Sequence, residues 1–179
     1  LREQPPDRQK VHTYLVGEER REKWWEFFRR KLGEGRQGYV VTPLVEESET
    51  ADMTAAEERH RALTLALGPA IGLVHGQLPA AAKDAAMADF VAGRTRLLVA
   101  TTVIEVGVDV PNASIMVIEE AQHFGLAQLH QLRGRVGRGA EASTCLLLYD
   151  APLGETARAR LETMRRTEDS IRAPSFSNR

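Results

Sequence analysis

The run Gln131-Leu-Arg-Gly-Arg-Val-Gly-Arg138 holds the residues best suited to chemistry in this chain. Arginine presents a rigid planar fork of N–H donors that matches phosphate oxygens two at a time. Gln131, Arg135 and Arg138 stand at i, i+4 and i+7, so a helix through them would project all three from one face. Gly134 and Gly137 remove side chains beside the arginines, which admits a bulky phosphate or an opposing backbone at some cost in helix propensity. Such a face can capture a polyphosphate at a domain edge. When a neighbouring lobe delivers the nucleotide, it can also stabilise charge developing on the transferred phosphoryl group. The bland alternative is a helix end whose arginines complement the macrodipole and pair with surface acids. It accounts for one arginine better than for the full pattern.

Three other places carry candidate ligand contacts. Ala100-Thr-Thr-Val-Ile-Glu-Val-Gly-Val-Asp-Val-Pro111 directly follows an apolar run and gathers hydroxyls, Gly107 and an acid in one connection. Thr101 or Thr102 can donate to a backbone phosphate. Asp109 can accept from a ribose hydroxyl, hold the arginines in place, or serve only as a turn or cap. His75-Gly76-Gln77 precedes Leu78-Pro79 and a helix start, where free amides and the helix dipole favour an anion such as a DNA phosphate. Gly76 permits close approach there, while His75 suits a hydrogen-bonding role in the turn equally well. Thr42-Pro43 ends another apolar run and is a weaker DNA contact, or simply a turn.

The absences narrow the chemistry. No Gly-x-x-x-x-Gly-Lys-Ser/Thr loop cradles phosphates, and Glu119-Glu120-Ala121 lacks the preceding context of a magnesium-holding acid. The chain alone is therefore not expected to hydrolyse ATP. Lys+Arg 24 against Asp+Glu 25 gives a net charge of -1, so no global basic field draws in nucleic acid and any such contact must be local. The 5 histidines are scattered without metal-ligand spacing, which argues against zinc. The single cysteine, Cys145, lies in the apolar run Cys145-Leu-Leu-Leu-Tyr149 and reads as a buried inert thiol. Apolar stretches are strand-sized, well short of the roughly 20 residues that span a bilayer, and the amino end has no signal-peptide pattern. A soluble cytoplasmic protein is expected.

The elements that must position these residues alternate strictly. With 179 residues and 42% hydrophobic content the chain suits one globular domain. Strands are expected at Val11 to Val16, Tyr39 to Pro43, Ile71 to His75, Arg96 to Thr101, Ser114 to Glu119 and Ser143 to Tyr149. Between them fall a charged helix through Trp24, Phe27, Phe28 and Lys31, one near Ala55 to Leu67, one at Pro79 to Val91 and one through Leu126 to Arg135. A last helix spans Gly154 to Arg166. Trp24 and Trp25 read as packing against a sheet in preference to stacking on a base. The acidic stretch Glu46 to Asp52 reads as a solvated loop, and no internal repeat is present. The pattern is α/β with a mostly parallel sheet covered on both faces, an architecture that sets ligand sites at the carboxyl ends of its strands. Residues 1–10 form a polar lead, 11–150 the lobe proper, and 151–179 a helix and polar tail.

Taken together, Thr42-Pro43, Ala100 to Pro111 and Gln131 to Arg138 resemble motifs IV, V and VI of the second motor lobe of superfamily 2 helicases. Within that superfamily, Val74-His-Gly-Gln-Leu78, Val99 to Ala113 and Gly125 to Arg138 look specifically like the RecG family. The resemblance implies a RecA-like, P-loop NTPase-type three-layer sandwich. It also implies an ATP-dependent DNA helicase that remodels stalled forks and recombination junctions in repair and recombination. ATP with Mg2+ would be bound mainly by a first RecA-like lobe of the same parent chain, which would also carry a DNA-recognition domain. By that likeness Arg135 and Arg138 are finger arginines, Gln131 orients the nucleotide-facing network, Gly107 and Asp109 approach ATP, and Thr101 contacts the DNA backbone. The block His123 to Arg138 is similar also to the motor of transcription-repair coupling factors, which is the nearest alternative. Both relatives continue into a hairpin that couples lobe closure to translocation, and Thr167 to Arg179 does not resemble it. A different class of reading is a non-catalytic DNA- or protein-binding module, against which the retained Gln131, Arg135 and Arg138 argue.

Overall fold

A computed structural model describes residues 10–43, 49–68, 70–101, 110–139 and 141–167, with 49–53 described by backbone only. Its elements are β1 (Val11–Val16), α1 (Arg21–Gly33), β2 (Gln37–Thr42), α2 (Glu49–Leu67), β3 (Ile71–Val74) and α3 (Ala80–Val91). They continue through β4 (Leu97–Thr101), β5 (Ala113–Ile118), α4 (Leu126–Arg133), β6 (Ser143–Leu148) and α5 (Glu155–Arg166). The six strands form one sheet in the order β1-β6-β5-β2-β4-β3. Every pairing is parallel, so the expected mostly parallel sheet is parallel throughout. Parallel neighbours require long crossovers, and the helices supply them.

Period-two alternation sorts the strand residues onto two faces. Tyr39, Val41, Leu98, Ala100, Met116, Ile118, Cys145 and Leu147 share one core with Phe90 of α3, Leu129 and Leu132 of α4, and Leu161 and Met164 of α5. Val40, Leu97, Val99, Ile115, Val117, Leu146 and Leu148 share the other with Phe28 of α1 and Leu63 of α2. The chain crosses the sheet in one direction through α1 and α2 and returns through α3 and α4, as right-handed crossovers demand. Burial on both faces explains why β2, β4 and β5 have no exposed residue.

Trp24 and Trp25 pack against the second core, with Trp24 stacked on Tyr14 and Trp25 against Phe28 at ring separations of 4.8 and 5.5 Å. Two expectations need correction. Helix α2 begins at Glu49, earlier than Ala55, because an acidic lead into an alanine-rich run suits a helix amino terminus. Of the acidic stretch expected as a loop, residues 49–52 belong to α2 and 46–48 lie outside the described residues, as do 1–9 and 168–179. Helix α4 stops at Arg133, two residues short of its expected end, with Gly134 as its C-cap.

Candidate functional site

The early end of α4 decides the geometry of the arginines. Beyond Gly134 the chain tightens to i→i−3 bonds, Arg135 N donating to Leu132 O at 3.0 Å and Val136 N to Arg133 O at 3.2 Å. Gly137 then takes φ +91°, a left-handed conformation that a side chain would resist. Gln131, Arg135 and Arg138 are therefore not three positions on one helix face. Gln131 lies exposed on α4, Arg135 on a tight half-turn, and Arg138 past a reversal, the last two half-buried.

Strand direction locates this loop. Helix α4 starts after the carboxyl end of β5 and returns the chain to the amino end of β6, so residues 134–139 lie along the amino edge of the sheet. The edge is confirmed by contact, because a Cβ built on Gly139 would overlap Pro111 O, and Pro111 lies in the segment that leads into β5. The expectation that all ligand residues gather at the carboxyl ends of the strands is thus corrected for Arg135 and Arg138. The rule describes crevices of a whole α/β domain, whereas these arginines sit on a return loop.

The other candidates do occupy the carboxyl edge. Thr42 and Thr101 are register partners at the last positions of β2 and β4. Val74 pairs with Ala100, so His75 emerges beside Thr101. Both threonines are buried, and among the described residues the Thr101 hydroxyl has no hydrogen-bond partner. The His75 ring is also buried. Its Nδ1 accepts from Gln77 N–H at 3.1 Å, and its Nε2 lies 3.4 Å from a Glu57 carboxylate oxygen without hydrogen-bond alignment. The ring pins the turn, while Gly76 and Gln77 are the exposed residues. Thr102, Gly107 and Asp109 lie outside the described residues. A five-residue central strand separates the two edges by about 17 Å.

Several residues at these edges were not singled out by sequence. Arg133 is only 3% exposed and spends its guanidinium on structure, donating to Thr13 Oγ1, Met164 O, Thr167 O and His130 Nδ1. Of the three arginines in the motif, it is the one most withdrawn from solvent, which leaves Arg135 and Arg138 as the candidates for an outside ligand. At the carboxyl edge, Glu119 pairs with Arg59 at 2.6 Å, and Arg59 lies over the Trp25 ring at 5.2 Å. Burial raises the Glu119 carboxyl above the ordinary value of 4.5, opposed by Arg59. An acid directly after a buried central strand was the available signal. Burial likewise pushes the Cys145 thiol up to about 12, in keeping with an inert core residue. Among the described residues no group of three or more His, Cys, Asp or Glu could hold a metal ion, and no helix is long and apolar enough to cross a membrane.

His130 gives a pH prediction. Arginine can only donate, so Nδ1 is an acceptor and His130 is neutral in the fold. Burial first, and Arg133 second, lower its pKa below 6.5. A histidine with a depressed folded pKa takes up a proton on unfolding, so its contribution is complete above pH 6.5 and is lost as pH falls from there through the lower folded pKa. His130→Asn, which keeps an acceptor and cannot titrate, is expected to melt with a smaller loss on acidification than the unmodified protein. Parallel losses in thermal melts would show that His130 does not contribute.

An all-parallel sheet covered by helices on both faces defines a RecA-like α/β lobe. The chain belongs to the helicase conserved C-terminal domain family, which matches residues 20–140. Its likeness within that class is to ATP-dependent DNA helicase RecG. It is 54% identical over 168 residues to the RecG protein of Acidithiobacillus ferridurans, covering 93% of this chain and 25% of the relative. To that of Synechocystis sp. it is 50% identical over 171 residues, covering 94% and 20%. Among solved structures, RecG bound to a three-way DNA junction superposes with a TM-score of 0.77 at 41% identity, covering 99% of this chain and 23% of the other. The chain thus spans a quarter or less of the length of these relatives.

Proposed function

We propose that this chain is the second motor lobe of an ATP-dependent DNA helicase that remodels branched DNA, such as stalled forks and recombination junctions. The observation that carries this reading is the division of the candidate residues between opposite edges of one sheet. Arg135 and Arg138 on the amino edge would meet the phosphates of ATP held by a first lobe, with Gln131 ordering the contacts around them. Thr42, Thr101 and the Gly76 turn on the carboxyl edge would meet the DNA backbone. Gly107 and Asp109 retain the approach to ATP that the likeness implies, and Thr102 the contact with a DNA phosphate that its hydroxyl suits.

The donor chemistry fits ATP in part. Guanidinium groups suit phosphate oxygens, and the chain offers no phosphate-cradling loop, so the Mg2+ ligands and most of the nucleotide site would belong to the first lobe. ATP, when bound, would supply the phosphoryl transfer that powers alternation between closed and open lobes, and in the closed state this chain's arginines would steady the charge that develops. On the DNA side, hydroxyls and backbone amides of a turn contact phosphate and carry no base information, which predicts low sequence specificity and strong salt dependence. Choice of junction would rest with a DNA-recognition domain elsewhere in the parent. The RecG likeness across 94% of the chain favours branched DNA over transcription-coupled repair.

The test is ATP hydrolysis by the full-length parent with forked DNA, single-stranded DNA and no DNA. Turnover stimulated most by the fork supports the reading. Hydrolysis absent with every DNA, despite a folded protein, would instead make this lobe a non-catalytic DNA- or protein-binding module.

A further inference from the structure

Arg133 is the last residue of α4 and its guanidinium is buried among three elements. One terminal nitrogen, Nη1, donates to Thr13 Oγ1 of β1 at 3.1 Å and to Met164 O of α5 at 2.8 Å. The other, Nη2, donates to Thr167 O, just past α5, at 2.7 Å and to His130 Nδ1 at 3.3 Å. None of these four acceptors is a carboxylate. The two carbonyls stand at the carboxyl end of α5, where unpaired C=O groups concentrate partial negative charge, so the cation is held by the end of a helix dipole.

Stability alone does not explain such a group. A buried guanidinium keeps much of its desolvation penalty even when it is well hydrogen-bonded, and an apolar side chain of similar volume commonly packs as well. Its position in the chain suggests the reason. The Arg133 carbonyl accepts from Val136 N, so the residue clamped by its side chain also carries the first turn of the arginine loop on its backbone.

We propose that Arg133 is a positioning residue. It fixes the carboxyl end of α4 against β1 and α5 so that the chain leaving at Gly134 presents Arg135 and Arg138 along the amino edge in one orientation. The catalytic consequence rests on the motor reading above, whereas the ordering of the loop does not. Misplacing a catalytic group by about 1 Å costs on the order of a hundredfold in rate.

The experiment uses the full-length parent carrying Arg133→Lys or Thr13→Val, with fork-stimulated ATP hydrolysis and amide hydrogen exchange measured on the same preparations. Lysine keeps the charge but cannot make the four-way contact, and Thr13→Val removes one acceptor at nearly constant shape. Arg133→Lys is expected to lower kcat by about a hundredfold with KM for ATP and DNA affinity unchanged. Exchange should quicken at amides 134–139 while β4, β5 and β6 stay protected. Thr13→Val should act in the same direction more weakly and add little on top of Arg133→Lys. Unchanged exchange at 134–139, or a kcat loss matched by loss of folded protein, overturns the proposal. A parent that hydrolyses no ATP would defeat the motor reading, and exchange in the two variants would then decide the role of Arg133.

Discussion

Arg138→Ala in the full-length parent is expected to leave ATP and DNA binding largely intact while lowering turnover by about a thousandfold. That loss corresponds to about 4 kcal/mol of transition-state stabilisation. The size separates the two readings of this arginine. A guanidinium that only completes a surface ion pair contributes about 0–1 kcal/mol, so its removal would change turnover by less than tenfold. Arg138 sits half-buried beyond the Gly137 reversal, on the amino edge, while Arg133 is already committed to α5 and β1. Steady-state kinetics with forked DNA, with nucleotide and DNA affinities measured separately, checks the prediction. A fall in turnover that merely tracks a fall in the folded fraction would refute the finger role.

The fold was largely legible because its signals are local. Residues 97–100 and 115–118 are apolar without interruption, which is how a strand covered on both faces must read. The arginine site was legible in its residues and not in its geometry. Helical spacing from Gln131 to Arg138 is satisfied on paper, yet Gly134 and Gly137 make alternative backbone conformations easy, and local pattern cannot decide when a glycine ends a helix. Arg133 was missed for a related reason. Its neighbours in sequence are the same kind as those of Arg135, and what buries it comes from Thr13, Met164 and Thr167, far away along the chain. The separation of the two edges depends on strand direction and order, which are properties of the assembled sheet.

Glycine makes the same point and yields the second large prediction. Gly134 and Gly137 drew notice as openings beside the arginines, but the close approach is at Gly139. A Cβ there would overlap Pro111 O and lie 3.1 Å from its carbonyl carbon, both backbone atoms with no rotamer to escape into. At Gly134, by contrast, the nearest backbone oxygens would be 3.4 and 3.5 Å away and the conformation is already right-handed helical. Gly134→Ala should therefore be tolerated and, through helix propensity, stabilise by about 0.5–1 kcal/mol. Gly139→Ala must push the arginine loop away from the segment that leads into β5, at an overpacking cost of about 1–3 kcal/mol. A displacement of the loop by about 1 Å is enough to lower turnover on the order of a hundredfold. Thermal melting and fork-stimulated kcat of the two variants, measured side by side in the parent, provide the check. If Gly139→Ala turns over as fast as Gly134→Ala, the loop has given way without moving its arginines, and the contact with Pro111 does not set their position.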